Sequence, residues 1–436
     1  MKSIREETCN NFRVMYYIQN AVVCSFIIII ALIFNLSFCS DVSAVNFHVD
    51  GFVQGNYAVN TVADNPDGKE FKWSEERVQI KLEASREQIR FVVKEDAFYN
   101  QNDSKTSTEM REGYIDYSAS KWDIRAGKQI VTWGVGDFLF INDVFPKNYN
   151  AYYSGQALEY LKKGVDALKI GYYPEIFDLE LVTVPVFEPN TLPDERQFWV
   201  YDPLSGVSNR ETIEPPSILK NTEVALRLYR DIAGFDVSVY CYRGYYRQPS
   251  ELPDNPIAPT KLLLFYPKLN VYGSSIQGKA MDGVVSFETG YYDSREDLAG
   301  NNSAIINSQS KYLIVYQRQL WEDCIIGLQY YAEYMHNYAA YERNLPLSAP
   351  KERQLHQLAT VRMTQLVKNQ TLKLSFFAIY GLSEGDYLIN PEVKYNVTDL
   401  IWTSLGTMIF GGRSQWSQFG QLSKDDNVYA LIRYEF

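Results

Sequence analysis

Apolar and polar residues alternate with a period of two along almost the whole chain after Val45. From Asn46 to Val59, one parity holds Phe47, Val49, Gly51, Val53, Gly55, Tyr57 and Val59, and the other Asn46, His48, Asp50, Phe52, Gln54 and Asn56. Strand side chains point alternately to opposite faces, so this stretch predicts one apolar and one polar face. Arg77–Ala84, Glu223–Leu228, Phe235–Tyr242 and Tyr387–Val397 repeat the split. Helical spacing competes only at Gln156–Lys163, where Leu158 and Leu161 suggest a turn or two of helix inside a loop.

The breaks between these stretches alternate in length. Short ones fall at Ser85–Glu87, Ser120–Lys121, Pro174–Ile176, Asp231–Gly234, Gly278–Asp282, Trp321–Asp323, Lys368–Gln370 and Asn396–Asp399. Long Pro/Asn/Asp/Ser-rich stretches lie between them, among them Val131–Lys163, Glu188–Lys220 and Gly412–Asp426. Short turns on one rim and long loops on the other predict an all-β chain, a transmembrane antiparallel β-barrel with short periplasmic turns and long extracellular loops. About eight turns and nine loops give about 18 strands. Sixteen is the alternative, because 268–277 and 309–319 alternate poorly. Closure is demanded by the solvent: in hydrocarbon every backbone N–H and C=O needs an internal partner, and the chain after its N-terminus offers no apolar helices.

The first 44 residues read as a Sec signal peptide. Lys2, Arg5 and Arg13 precede the apolar run Ala21–Phe38, and Val42-Ser43-Ala44 offers small residues for cleavage after Ala44. The barrel then occupies residues 45–436 and keeps only Cys241 and Cys324, which is no disulfide framework. The C-terminal parity Val428, Ala430, Ile432, Tyr434 and Phe436 resembles the terminal strand by which bacterial outer-membrane barrel proteins are recognised by their assembly machinery. The resemblance makes Ile432, Tyr434 and Phe436 an assembly signal, and implies barrel-assembly machinery and outer-membrane lipid as partners. A second resemblance, to porin-like outer-membrane families of Gram-negative bacteria, rests on Gly127-Lys128-Gln129 running into Trp133-Gly134 before a long loop.

Composition narrows function. With 34 Tyr, 23 Phe and 7 Trp, the aromatic surplus fits girdles at the two membrane boundaries, with the pairs Tyr152-Tyr153, Tyr172-Tyr173, Tyr245-Tyr246, Tyr291-Tyr292 and Tyr330-Tyr331 at or near strand ends. A net charge of −11 argues against nucleic acid. Three histidines, His48, His336 and His356, suggest no Ser/His/Asp grouping, so no enzyme and no cofactor is expected. Alternation beginning almost at Val45 leaves no room for the plug domain of an energised transporter.

Charge is costly on a lipid face, so the charged parity should line the lumen. That assignment gives Arg77, Lys81, Arg90, Lys94, Glu112, Asp116, Arg125, Lys169, Glu180, Glu223, Arg227, Glu288, Glu392 and Lys394 as pore-lining candidates of mixed sign. The loop Val131–Lys163 carries Trp133, Phe138, Phe140, Ile141 and Phe145, too apolar for an outside loop. It is expected either to fold inward and narrow the pore, with Asp137 and Asp143 near the constriction and Trp133 and Phe138 as further constriction-loop candidates, or to pack over the barrel mouth. The expectation is a passive channel for small hydrophilic solutes, trimeric by resemblance to general porins. A transporter of hydrophobic substrates and a structural or adhesive barrel are the alternatives.

Overall fold

The computed structural model describes residues 45–193, 197–255, 257–346 and 349–436; the expected signal peptide lies outside the described residues. The strands in chain order are β1 (Asn46–Asn60), β2 (Phe71–Arg86), β3 (Ile89–Asn100), β4 (Lys105–Ser118), β5 (Trp122–Gln129), β6 (Val165–Tyr172) and β7 (Asp178–Val184). Then come β8 (Asn209–Ile213), β9 (Glu223–Ile232), β10 (Phe235–Tyr245), β11 (Ser250–Pro253), β12 (Lys261–Phe265), β13 (Lys268–Ala280) and β14 (Gly283–Ser294). The chain ends with β15 (Gln309–Trp321), β16 (Cys324–Met335), β17 (Leu355–Val367), β18 (Leu372–Gly381), β19 (Tyr387–Asn396), β20 (Ile401–Gly411) and β21 (Asn427–Glu435). Eighteen of them form one antiparallel sheet in which successive strands pair. Strands β8, β11 and β12 form a separate three-stranded sheet within the long loops.

The sheet closes because β1 pairs with β2 on one side and β21 on the other, from Phe52↔Glu435 to Asn60↔Asn427. Gly51 and Phe436 then exchange backbone hydrogen bonds at 3.0 Å, so the last residue completes the seam. Tight turns make the short rim. Ala233-Gly234 and Met281-Asp282 both have positive φ, the conformation whose twist matches two antiparallel strands.

Parity sorts the two faces. In one circumferential row Ile276, Phe287, Ile314 and Tyr330 face one another across successive strands and are exposed on the outside. Stepping one residue along each strand gives the inner row Ser275, Glu288, Leu313 and Tyr331, all buried. Stretches 268–277 and 309–319 are full strands, so the count is 18 and not 16. They alternate poorly because their inner positions Leu269, Val271 and Leu313 pack against an apolar loop core and not against water. The tyrosine pairs are corrected in the same way. Tyr291 and Tyr330 face out while Tyr292 and Tyr331 are buried inside, and Tyr152, Tyr153, Tyr245 and Tyr246 are all buried. The aromatic surplus therefore divides between the outer face and an inner packing layer.

Candidate functional site

Many of the inward charges on β1–β7 are ordered into pairs of opposite sign. Lys81 on β2 reaches Asp50 at 3.4 Å and Glu83 at 3.6 Å, and Arg90 on β3 reaches Glu83 at 3.7 Å and Asp116 at 2.9 Å. Asp116 on β4 also holds Arg125 on β5 at 3.2 Å, and Lys169 on β6 holds Glu180 on β7 at 3.2 Å. Lys94 pairs with Glu159 of the loop at 3.5 Å, and Glu112 accepts a hydrogen bond from the Ile130 amide. Arg227 bonds the Ser238 hydroxyl and stacks on Tyr229. Where the charges pair in this way the lining is locally neutral, which weakens any single-sign field along it.

Several lining candidates face inward yet meet protein in place of open water. Arg77, Glu223 and Glu288 are almost completely buried. Arg77 is bound by Glu75 and Asp96 and lies over the rings of Phe98 and Tyr160, while Glu223 forms a two-point ion pair with Arg247. The reason lies in the loop between β5 and β6, which fills much of the lumen and covers them.

That loop is fastened to the wall nearly all the way round. Trp133 packs on Phe145 and Tyr240 and donates its ring N–H to Glu180. Glu288, midway along β14 and 0% exposed, accepts from the Val135 amide at 2.9 Å, the Asn142 amide at 2.7 Å and the Asn142 side chain at 3.0 Å. Tyr292 donates to the Ile141 carbonyl. Gly273 on β13 lies where any Cβ would strike Asn142, so the wall is cut to receive the loop. Gln329 on β16 holds Asp137 by both its backbone N–H and C=O, each at 2.8 Å.

Farther along, the short helix Tyr149–Tyr153, capped by the Asn148 side chain, is followed by a 3₁₀ turn, Leu158–Leu161. The turn lies within the predicted Gln156–Lys163 segment, whereas the helix had no periodic signal. Tyr160 ends between the guanidinium groups of Arg77 and Arg111, at 4.3 and 4.5 Å. Glu159 takes Arg433 of β21 at 2.8 Å.

Two of the four constriction candidates need correction. Trp133 lies against the wall as an anchor. Asp143 is buried between Lys147 at 2.8 Å and Lys162 at 3.2 Å, its charge neutralised; burial pushes the Lys147 amine down while Asp143 pulls it back up. Asp137, its side chain 46% exposed, pairs with Arg362 of β17 at 2.8 Å, and Phe138 stacks beneath that guanidinium at 4.8 Å.

Two cavities lie on opposite sides of the loop. The outer one, about 330 Å³, is bounded by Phe140, Lys147 and Tyr149 of the loop and by Arg247, Lys311 and Glu333. The inner one, about 340 Å³ and toward the short-turn rim, is bounded by Phe138 and Tyr152 of the loop and by Arg362, Lys373, Lys394 and Arg433. Glu392 and Trp402 also line it, and Lys394 lies over the Trp402 ring at 3.6 Å. Arg362, Lys373 and Arg433 were missed, although each sits on the inward parity of its strand. Their apolar strand neighbours on the same parity, such as Leu358, Phe377 and Leu431, diluted the signal.

No family model matches the chain, and no curated protein matches its sequence. Among solved structures, Pseudomonas aeruginosa OccK2 (OpdF), determined in complex with glucuronate, is similar at 6% identity and a TM-score of 0.55 over 90% of this chain and 98% of that one. Acinetobacter baumannii OccAB3 gives 8% and 0.53 over 90% and 99%. Pseudomonas aeruginosa OccK11 (OpdR) gives 9% and 0.52 over 89% and 96%. At such identities the likeness establishes a shared fold, that of the outer-membrane porin barrels.

Proposed function

We propose that the protein is an outer-membrane channel through which small hydrophilic solutes diffuse passively. The observation that carries this reading is the division of faces on one closed barrel: an apolar outside row and a charged inside of mixed sign, with polar-lined cavities on both sides of an inserted loop. A barrel of this strand number is wide enough to leave an aqueous path where loops do not fill it. Signal-peptide export, recognition by assembly machinery through Ile432, Tyr434 and Phe436, and assembly as a trimer belong to the same proposal. The cations and carboxylates of the inner cavity speak against a path for hydrophobic substrates.

Planar-bilayer recording of the detergent-folded, heat-modifiable protein tests the reading. Stepwise currents with a reversal potential near zero in a salt gradient are expected, because cations and carboxylates are mixed along the lining. Strong anion selectivity would contradict the mixed-sign lining. A complete lack of steps would favour the adhesive alternative, for which the small sheet of β8, β11 and β12 is the candidate surface.

A further inference from the structure

Rings from the loop and the wall form a continuous bar that runs from β18 through the loop to β20, between the residues that line the two cavities. Phe377 of β18 lies 4.6 Å from Phe138, Phe138 4.7 Å from Tyr152, Tyr152 5.2 Å from Tyr153, and Tyr153 5.6 Å from Phe410 of β20. Loop rings bound each cavity on its own side, Phe140 and Tyr149 the outer and Phe138 and Tyr152 the inner, and no residue lines both. A solute passing from one of these cavities to the other between the loop and the β18–β20 wall meets this bar.

We propose that Phe138 is a shutter: the structure holds the two cavities apart, and solute crosses when the Phe138 ring leaves the stack between Phe377 and Tyr152. This rests on the channel reading. Everything around Phe138 is pinned. Glu288 fixes the backbone at Val135 and Asn142, Gln329 fixes Asp137 from both sides, and Tyr292 fixes Ile141. Leu139 and Ile141 are buried in the loop core, and Tyr152 and Tyr153 belong to the capped helix. Phe138 is only partly buried, and its φ of 62° is a left-handed conformation that bulky L residues rarely take. The neighbouring hydrogen bonds hold the backbone in that conformation, and backbone outliers so over-determined cluster at switch positions. Its ring borders the inner cavity, the space into which it would turn, while Arg362, stacked on both Phe138 and Phe377 and paired with Asp137, marks the closed position.

The test is single-channel conductance of the full-length protein with Phe138→Gly, Phe138→Leu and Phe138→Trp, each first shown to be folded by heat-modifiable mobility. A graded order is expected. Gly should conduct several-fold more than wild type and stay open longer, Leu should fall between, and Trp should conduct less than wild type. Equal conductance across the series overturns the shutter while leaving the channel intact. A rise in the Trp variant also overturns it, since overpacking would then be loosening the whole loop. If neither wild type nor the Gly variant passes current, the channel reading fails and the shutter fails with it.

Discussion

Glu288 is an inward carboxylate whose nearest partners are amides of the inserted loop. Removing it in Glu288→Ala leaves the amides of Val135 and Asn142 buried without an acceptor, at about 1–3 kcal/mol each. The expected outcome is a loop that detaches: conductance rises and current noise grows, while the barrel keeps its heat-modifiable mobility. Unchanged conductance would mean that other anchors suffice. Asp425, in the last long loop, makes a second residue-scale prediction. It is buried against Lys72 at 2.9 Å and accepts the Trp199 amide, clasping three outer segments together. Burial pushes its carboxyl up to about 6, against the pull of Lys72. The folded state then holds this proton more tightly than the unfolded chain, where aspartate titrates near about 4. Its stabilisation is fully present below that value and is lost as pH rises through about 6. Proteolysis of the outer loops should therefore be slower at pH 5 than at pH 7, compared with a protease of matched activity, and Asp425→Asn should flatten the difference. Faster cleavage at pH 5 in the wild type would refute the assignment.

At the scale of a strand, parity decides what a substitution costs. Ser375 and Phe376 are neighbours on β18 that face opposite ways, Ser375 beside Glu392 on the inner cavity and Phe376 exposed on the outer face. Phe376→Lys should cost about 2–4 kcal/mol if it sits near the bilayer midplane. Ser375→Lys gains a carboxylate partner and should stay within about 1 kcal/mol of wild type. Urea unfolding from lipid vesicles measures both, and similar losses at the two sites would reject the assignment of faces. Parity also accounts for what was hard to read. The inner positions of β13 and β15 are apolar because they meet the loop, so the period-two signal fades where loop and wall pack most tightly.

For the whole molecule, closure depends on the pairing of the first strand with the last. Deleting Ile432–Phe436 removes the end of the β1–β21 register and the Gly51–Phe436 exchange. Yield of heat-modifiable barrel in the outer membrane should fall by about tenfold or more, since an open edge cannot be satisfied in hydrocarbon; normal yield would show that the seam tolerates a gap. The strands, their faces, the two rims and the approximate count follow from the sequence alone, because alternation and turn chemistry act over a few residues and repeat around the circumference. The apolar content of the 131–163 loop marked it as unsuited to water but left open whether it bends inward or packs over the mouth. Its partners were not legible. That Glu288 meets Val135, that Tyr160 lies between Arg77 and Arg111, and that Phe138 closes a bar from Phe377 to Phe410 are contacts between residues far apart in the chain. Curvature and closure of the sheet bring them together, and only the tertiary structure decides which inward charges meet water and which hold the loop.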